Sequence, residues 1–183
     1  MVNKKLAEEL KRLDGTKNFL VVSNAENLQK NVIDIVEFMI KERKIPGLYV
    51  SLNKPYTTIR EILKKRKIED NLSFIDTLGS SKNKLKKKKN VLLLSNPADL
   101  TTIAISIGAF SKQVKAKKFL IIDALSTLLI YNNLESVAKF IQSLSSLAST
   151  NEDILMIFAT SECKNDNLIQ KITPFFDKVI KIS

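Results

Sequence analysis

The sequence predicts one α/β domain of three layers, in which a mostly parallel β-sheet is covered by helices on both faces. Short, continuously apolar runs alternate along the chain with longer segments whose apolar residues recur at helical spacing. Such runs are typical of strands buried on both faces, and parallel strands need crossover connections that are usually helical. The 183 residues fit one domain. Neither a repeat nor a linker divides them, so we expect residues 1–183 to fold as one unit.

The first half of the chain is predicted to contain three strands and three helices. An N-terminal helix occupies residues 1–15, where leucines recur at helical spacing and Gly15 favours a stop. A later short helix, ending near residue 65, is predicted to be capped by Thr57 or Thr58. The strands are expected at residues 19–22, 48–52 and 72–75, and the long helix between the first two at residues 25–43.

Four strands and three helices are predicted in the second half. Asn96, Pro97 and Asp99 have the features of a helix start, with Asn96 as the cap and Pro97 in the first turn. Asn133 is predicted to cap the next helix, and Pro174 to stop a short third one. The strands are expected at residues 91–94, 119–122, 154–159 and 178–182.

Two features of the composition exclude common kinds of catalysis. The chain has no histidine, which rules out Ser-His-Asp and Cys-His mechanisms. Its single cysteine, Cys163, permits neither an intramolecular disulfide nor a cysteine-rich zinc site. The longest apolar stretch is interrupted by Asp123 and is too short for a membrane span. We therefore expect a cytoplasmic protein that does not bind membranes.

The net charge of +11 comes largely from one short run of lysines. This run lies in segment 77–90, which has no apolar periodicity and is predicted to be a mobile basic loop. A solvated loop is one reading, and non-specific contact with nucleic-acid phosphates is the other. No aromatic residue is interleaved with the run to stack on bases. The lysines concerned are Lys82, Lys84, Lys86, Lys87, Lys88 and Lys89.

Polar residues follow three of the predicted strands, where ligands bind in parallel α/β sheets. Asn24 follows the first strand, Asn53 follows the second, and Asp123 follows the apolar run of the fifth. Four apolar residues followed by an aspartate is the form in which an NTPase carboxylate reaches Mg²⁺. A solvated or cap-forming aspartate is an equally simple interpretation of Asp123.

The order of these segments resembles archaeal KaiC-like ATPases of the RecA superfamily. The resemblance rests on the first strand with its turn and long helix, on the run Tyr49-Val-Ser-Leu52, and on the run Leu120-Ile-Ile-Asp-Ala-Leu-Ser-Thr127. It extends over nearly the whole chain from Asn18. It implies a RecA/KaiC-like sheet, and it implies that a phosphate loop would lie between the first strand and the long helix at residues 25–43.

The segment in the position of the family's phosphate loop departs from the pattern G-x-x-x-x-G-K-[ST]. Lys30 stands where the lysine belongs, but Asn24 and Gln29 replace the two glycines and Asn31 replaces the hydroxyl residue. Glu26 adds a negative charge that would repel a phosphate. The segment therefore favours a short turn running into a capped helix with a solvated Lys30 over a working phosphate loop.

A second departure follows the second strand. The family usually carries an acidic residue there that can act as general base, but this chain has Asn53 and Lys54. Thr160 and Ser161 stand where the family has a polar sensor of the γ-phosphate. We therefore expect no catalytic residue and no cofactor.

Three hypotheses follow, and the first is favoured. It describes a catalytically inactive RecA/KaiC-like domain that acts as a binding or regulatory module, through a protein partner or self-association. The second describes a residual ATP binder or slow ATPase, with Asn24, Lys30 and Asn31 around the phosphates and Asp123 on Mg²⁺. The third describes a recombinase-like protein that binds nucleic acid through its lysine run.

Overall fold

The computed structural model describes residues 4–68, 71–79, 90–162 and 166–182. The six lysines of the basic run and Cys163 lie outside these residues. The described helices are α1 (Lys4–Lys11), α2 (Ala25–Lys41), α3 (Tyr56–Lys65), α4 (Leu100–Gln113), α5 (Leu125–Tyr131), α6 (Leu134–Ser149) and α7 (Asp166–Ile172), the last followed by a 3₁₀ turn (Thr173–Phe175). The described strands are β1 (Asn18–Ser23), β2 (Gly47–Ser51), β3 (Leu72–Asp76), β4 (Val91–Leu93), β5 (Lys118–Asp123), β6 (Ile154–Ser161) and β7 (Lys178–Ile182).

The strands form one sheet in the order β4-β3-β2-β5-β6-β1-β7, and every pair within it is parallel. This confirms the predicted α/β class and sharpens "mostly parallel" to wholly parallel for the described strands. All their carboxyl ends meet at one end of the sheet, called the carboxyl end below, and their starts form the opposite amino end. β6 lies between β1 and β5, so the ends of these two strands flank the end of β6.

The core is divided into two layers by the alternation of side chains along the strands. In β1, Phe19 and Val21 point to the face covered by α1, α2 and α3, whereas Leu20 and Val22 point to the face covered by α4 to α7. Each face holds a separate cluster of buried aliphatic and aromatic side chains. The predicted three-layer arrangement is therefore confirmed.

The predicted cap of α3 is wrong. The helix begins at Tyr56, and its N-cap residue is Pro55, which offers no side-chain acceptor. The carboxylate of Asp76, at the end of β3, accepts a hydrogen bond of 2.9 Å from the backbone N–H of Tyr56 instead. The helix start is thus satisfied from a neighbouring strand, a contact that local sequence does not display, and Thr57 and Thr58 lie inside the helix.

The predicted start of α4 is displaced by three residues. Asn96 accepts from the N–H of Ala98 (3.0 Å) and forms a turn, so Pro97 precedes the helix. Asp99 is the cap, because its carboxylate accepts from both the N–H (2.9 Å) and the hydroxyl (2.7 Å) of Thr102. Two asparagine or aspartate residues near one helix start made the choice ambiguous in the sequence. The predicted cap Asn133, by contrast, accepts from the N–H of Ser136 at 2.8 Å, as expected.

Two further expectations are changed by the structure. Helix α5 (Leu125–Tyr131) was not predicted, because it has only seven residues and no side-chain cap. Only residues 77–79 and 90 of the expected basic loop are described, and Thr77 among them is buried. Gly15 adopts a left-handed conformation (φ +81°) after α1, in keeping with its predicted role as a stop.

Candidate nucleotide site at the carboxyl end of the sheet

Asp123 is the central residue of the carboxyl end of the sheet. It is the last residue of β5, and its side chain is completely buried on the face covered by α2. The register of β2 and β5 pairs Ser51 with Asp123 and Tyr49 with Ile121, so Tyr49 and Asp123 lie on the same face of adjacent strands. The peptide bond after Asp123 is cis.

Two side chains cover this carboxylate. The Tyr49 hydroxyl donates a hydrogen bond to Oδ2 of Asp123. The Nε2 atom of Gln29, on the second turn of α2, lies 3.4 Å from the same oxygen and 3.2 Å from the Tyr49 hydroxyl oxygen. Among the described residues, Oδ1 of Asp123 and Oε1 of Gln29 are buried without a hydrogen-bond partner. We call Gln29, Tyr49 and Asp123 the buried triad.

Burial dominates the electrostatics of the buried triad. It raises the pKa of Asp123 above the usual range of an aspartate, although the hydrogen bond from Tyr49 and the positive charge of Lys54 act in the opposite direction. Burial also raises the pKa of Tyr49 well above that of a free tyrosine, and the charge of Asp123 raises it further. Both groups are therefore biased towards their neutral forms.

The segment in the phosphate-loop position forms a tight connection. β1 ends at Ser23 and α2 begins at Ala25, so Asn24 alone separates strand from helix. The Asn24 side chain caps the helix by accepting from the N–H of Asn27 at 2.9 Å. A phosphate loop needs several residues in an open, glycine-rich curve that turns its N–H groups inward. In this chain the corresponding residues form the first turn of the helix.

Lys30 and Asn31 have partners other than Asp123. The Lys30 ammonium lies 3.7 Å from Oδ2 of Asp34, one turn further along the helix, and its side chain is 49% exposed. Asn31 is buried, and its Nδ2 donates to Oγ of Ser23 at 2.9 Å. The structure thus places Asn24, Lys30 and Asn31 on one helix start beside Asp123. No described hydrogen bond or ion pair joins any of the three to Asp123.

The other polar strand ends contribute little to the site. Asn53 is exposed, and Lys54 is half-buried, where its charge acts on Asp123 from a distance. Thr160 and Ser161 are buried at the end of β6, with Oγ of Ser161 3.4 Å from Oγ of Ser126. Across residues 4–68, 71–79, 90–162 and 166–182, no group of three or more histidine, cysteine or carboxylate side chains could hold a metal. Nor does any described helix have the length and apolarity needed to cross a membrane.

Sequence reasoning missed the roles of Gln29 and Tyr49. A signal existed for each: Gln29 stands where the resemblance implies a glycine, and Tyr49 carries a hydroxyl within the apolar run of β2. Neither signal indicates a contact with Asp123, because Asp123 is 94 residues from Gln29 and 74 residues from Tyr49 in the sequence.

Comparison with solved structures places the fold among known proteins. A KaiC-like protein of the hyperthermophilic archaeon Pyrococcus horikoshii OT3 superposes with a TM-score of 0.65 at 14% identity, over 91% of this chain and 70% of its own. An uncharacterized protein of Pyrococcus horikoshii, solved in complex with an unknown peptide, superposes with a TM-score of 0.68 at 14% identity, over 95% of this chain and 82% of its own. These likenesses show a KaiC/RecA-like fold.

Sequence comparisons define the family but no activity. No curated protein matches the chain. The model of one family of unknown function, DUF7090, matches residues 48–183, which include Tyr49 and Asp123. The chain therefore belongs to the DUF7090 family and has a KaiC/RecA-like fold.

Proposed function

We propose that this protein is a catalytically inactive RecA/KaiC-like domain that serves as a binding or regulatory module. The observation that carries the proposal is the contact of Gln29 with Tyr49 and Asp123. Gln29 stands in the place of a phosphate-loop glycine, and its side chain reaches the carboxylate that would face Mg²⁺ in an active relative. The side chains of Gln29 and Tyr49 thus lie against the carboxylate that a metal ion would have to approach.

The geometry around Asp123 is unfavourable for a metal ion. Mg²⁺ binds oxygen ligands at about 2.1 Å, demands near-octahedral geometry and usually keeps several waters. Oδ2 of Asp123 already accepts from Tyr49, and Oδ1 is completely buried. Admitting a hydrated ion would require both Gln29 and Tyr49 to move. We therefore derive no reaction step through Mg²⁺ or ATP at this site.

The surroundings are equally unfavourable for a phosphate. The tight connection at Asn24 leaves no open loop of N–H groups, and Lys30 is paired along the helix with Asp34. Glu26 adds a negative charge to the first helical turn. Neither Asn53 nor Lys54 can act as a carboxylate base for an attacking water.

Calorimetric titration with Mg-ATP and a sensitive assay of phosphate release test the loss of chemistry. We expect no binding heat and no hydrolysis above the buffer rate. Asp123→Asn and Lys30→Ala are the matched variants. Hydrolysis by the natural protein that either variant abolishes would overturn the proposal and favour the slow ATPase.

The proposed partner is a polypeptide, either a second copy of this chain or a related active ATPase. Support comes from the fold, whose Pyrococcus horikoshii neighbour was solved with an unknown peptide bound. Light scattering after size-exclusion chromatography, over a hundredfold range of concentration, measures self-association directly. A strictly monomeric protein that binds DNA in a salt-sensitive manner, and loses this binding when its lysine run is deleted, would favour the nucleic-acid hypothesis instead.

A further inference from the structure

A cavity of about 290 Å³ opens at the amino end of the sheet, opposite the buried triad. Its walls come from the segment that joins α1 to β1, from the last turns of α2, and from the starts of β5 and β6. This volume is close to the lower limit of small-molecule pockets, about 300 Å³. We call it the amino-end cavity.

Part of the lining of the amino-end cavity is apolar. Leu13 and Met39, which belong to the buried cluster on the α2 face, line it. Ile45 and Leu155 line it as well and are only partly covered by the rest of the fold. An apolar body of a few carbon atoms would therefore bury its surface against aliphatic groups, which is the main source of affinity in pockets of this kind.

The opening of the cavity carries charged residues, of which two are already paired. Arg43 is fixed by an ion pair with Asp14 at 3.3 Å. It also donates to the carbonyls of Leu10 and Lys11, each at 3.3 Å. Arg43 therefore already has an acidic partner and two carbonyl partners.

Two lysines at the opening are not committed in this way. Within the described residues, neither Lys17 nor Lys117 forms an ion pair. One acidic residue of the lining, Glu152, is unpaired there too, so the uncommitted charges sum to a positive value. These charges favour an anionic group over a neutral or cationic one.

The sheet brings the two lysines to the same side. Phe19, Phe119 and Leu155 all point to the face covered by α2. Lys17 and Lys117 immediately precede β1 and β5, and both residues line the cavity. β6 lies between the two strands, so their backbones are separated by two strand spacings, about 10 Å. Two lysine side chains can converge on one carboxylate across this distance.

From this arrangement we infer that the amino-end cavity binds a small amphipathic anion, with its aliphatic or aromatic body against Leu13, Met39 and Leu155 and its carboxylate between Lys17 and Lys117. The site is separate from the buried triad and does not depend on the loss of nucleotide chemistry.

Titration of ¹⁵N-labelled protein with octanoate, followed by assigned amide spectra, tests this inference. We expect saturable shifts at Gly15, Thr16, Lys117 and Leu155 below about 10 mM octanoate. 1-Octanol provides the neutral comparison and should bind at least about tenfold more weakly, because a charge-assisted hydrogen bond is lost. No saturable shift at these amides, or shifts confined to other surfaces, would overturn the inference.

Three variants separate a built site from general attraction to a basic protein. The double variant Lys17→Gln/Lys117→Gln should weaken octanoate about tenfold and change 1-octanol less than twofold. Glu152→Gln should strengthen octanoate, because it removes the opposing charge. The control is Lys115→Gln, an exposed lysine outside the lining. An equal loss in the control and the double variant would refute the site.

Discussion

The polar side chains at the two ends of the sheet differ in burial and in pairing. At the carboxyl end, Asp123 is buried and its hydrogen bonds are made within the protein, by Tyr49 and Gln29. At the amino end, Lys17 and Lys117 are two of the residues that line an open cavity, and neither forms an ion pair among the described residues. Gln29 and Tyr49 thus cover the carboxylate at the carboxyl end, whereas the amino end has a cavity.

The largest effect is expected from Tyr49→Phe. The substitution leaves the buried carboxyl group of Asp123 with one long contact, so we expect the free energy of unfolding to fall by about 2 kcal/mol. Urea unfolding at neutral pH measures it. Tyr131→Phe is the control, because Tyr131 is 48% exposed and should change stability little. Equal effects of the two substitutions would show that the buried triad does not stabilise the carboxyl end.

A pH dependence should be specific to the carboxyl end. The pKa of Asp123 is raised in the folded state, mainly by burial, so over a range above about pH 4 the folded protein holds a proton that the unfolded chain has lost. Stability contributed by this group is complete below that pH and is lost as pH rises through the folded-state pKa.

Asp123→Asn isolates this contribution. The variant should show a flatter dependence of the free energy of unfolding on pH between pH 4 and neutrality, because an amide does not titrate. Urea unfolding at several pH values, for the variant and the natural protein, gives the difference. Identical profiles would contradict a raised pKa.

Gln29→Ala should have a smaller effect. It removes one weak donor from Tyr49 and Asp123, at an expected cost of about 1 kcal/mol. Gln142→Ala, on the exposed face of α6, is a matched control for helix propensity. If Gln29→Ala also gained Mg-ATP binding, Gln29 alone would be responsible for closing the site. We expect no gain, because the tight connection at Asn24 remains.

The smallest effect is expected at the amino end. Lys17→Gln and Lys117→Gln should each change the free energy of unfolding by less than about 0.5 kcal/mol, because neither lysine is paired within the described structure. Thermal unfolding of the two variants measures this. A loss above about 1 kcal/mol would mean that the lysines are structural, and the contrast between the two ends would fail.

The strands and the layers could be predicted from the sequence because a strand that is buried on both faces is apolar at successive positions. β1 and β5 each contain a run of four apolar residues, and a helix such as α2 has one apolar face. Helix starts were harder. The capping group of α3 comes from Asp76, twenty residues further along the chain, and α4 offered two residues of capping type.

The candidate site could be predicted only in part. Asp123 and the segment 24–31 were found from their positions after strands, and both lie at the carboxyl end. The contacts that define the site were not predictable, because they depend on the strand order. Tyr49 meets Asp123 because β2 is the neighbour of β5, and Gln29 meets both because α2 crosses the same face.

The buried triad also has a consequence for how the protein would respond to its surroundings. A ligand that binds only the folded state adds to stability in proportion to the logarithm of its concentration. Because Gln29 and Tyr49 supply the contacts of Asp123 from within the chain, the melting temperature of this protein should be independent of the nucleotide supply.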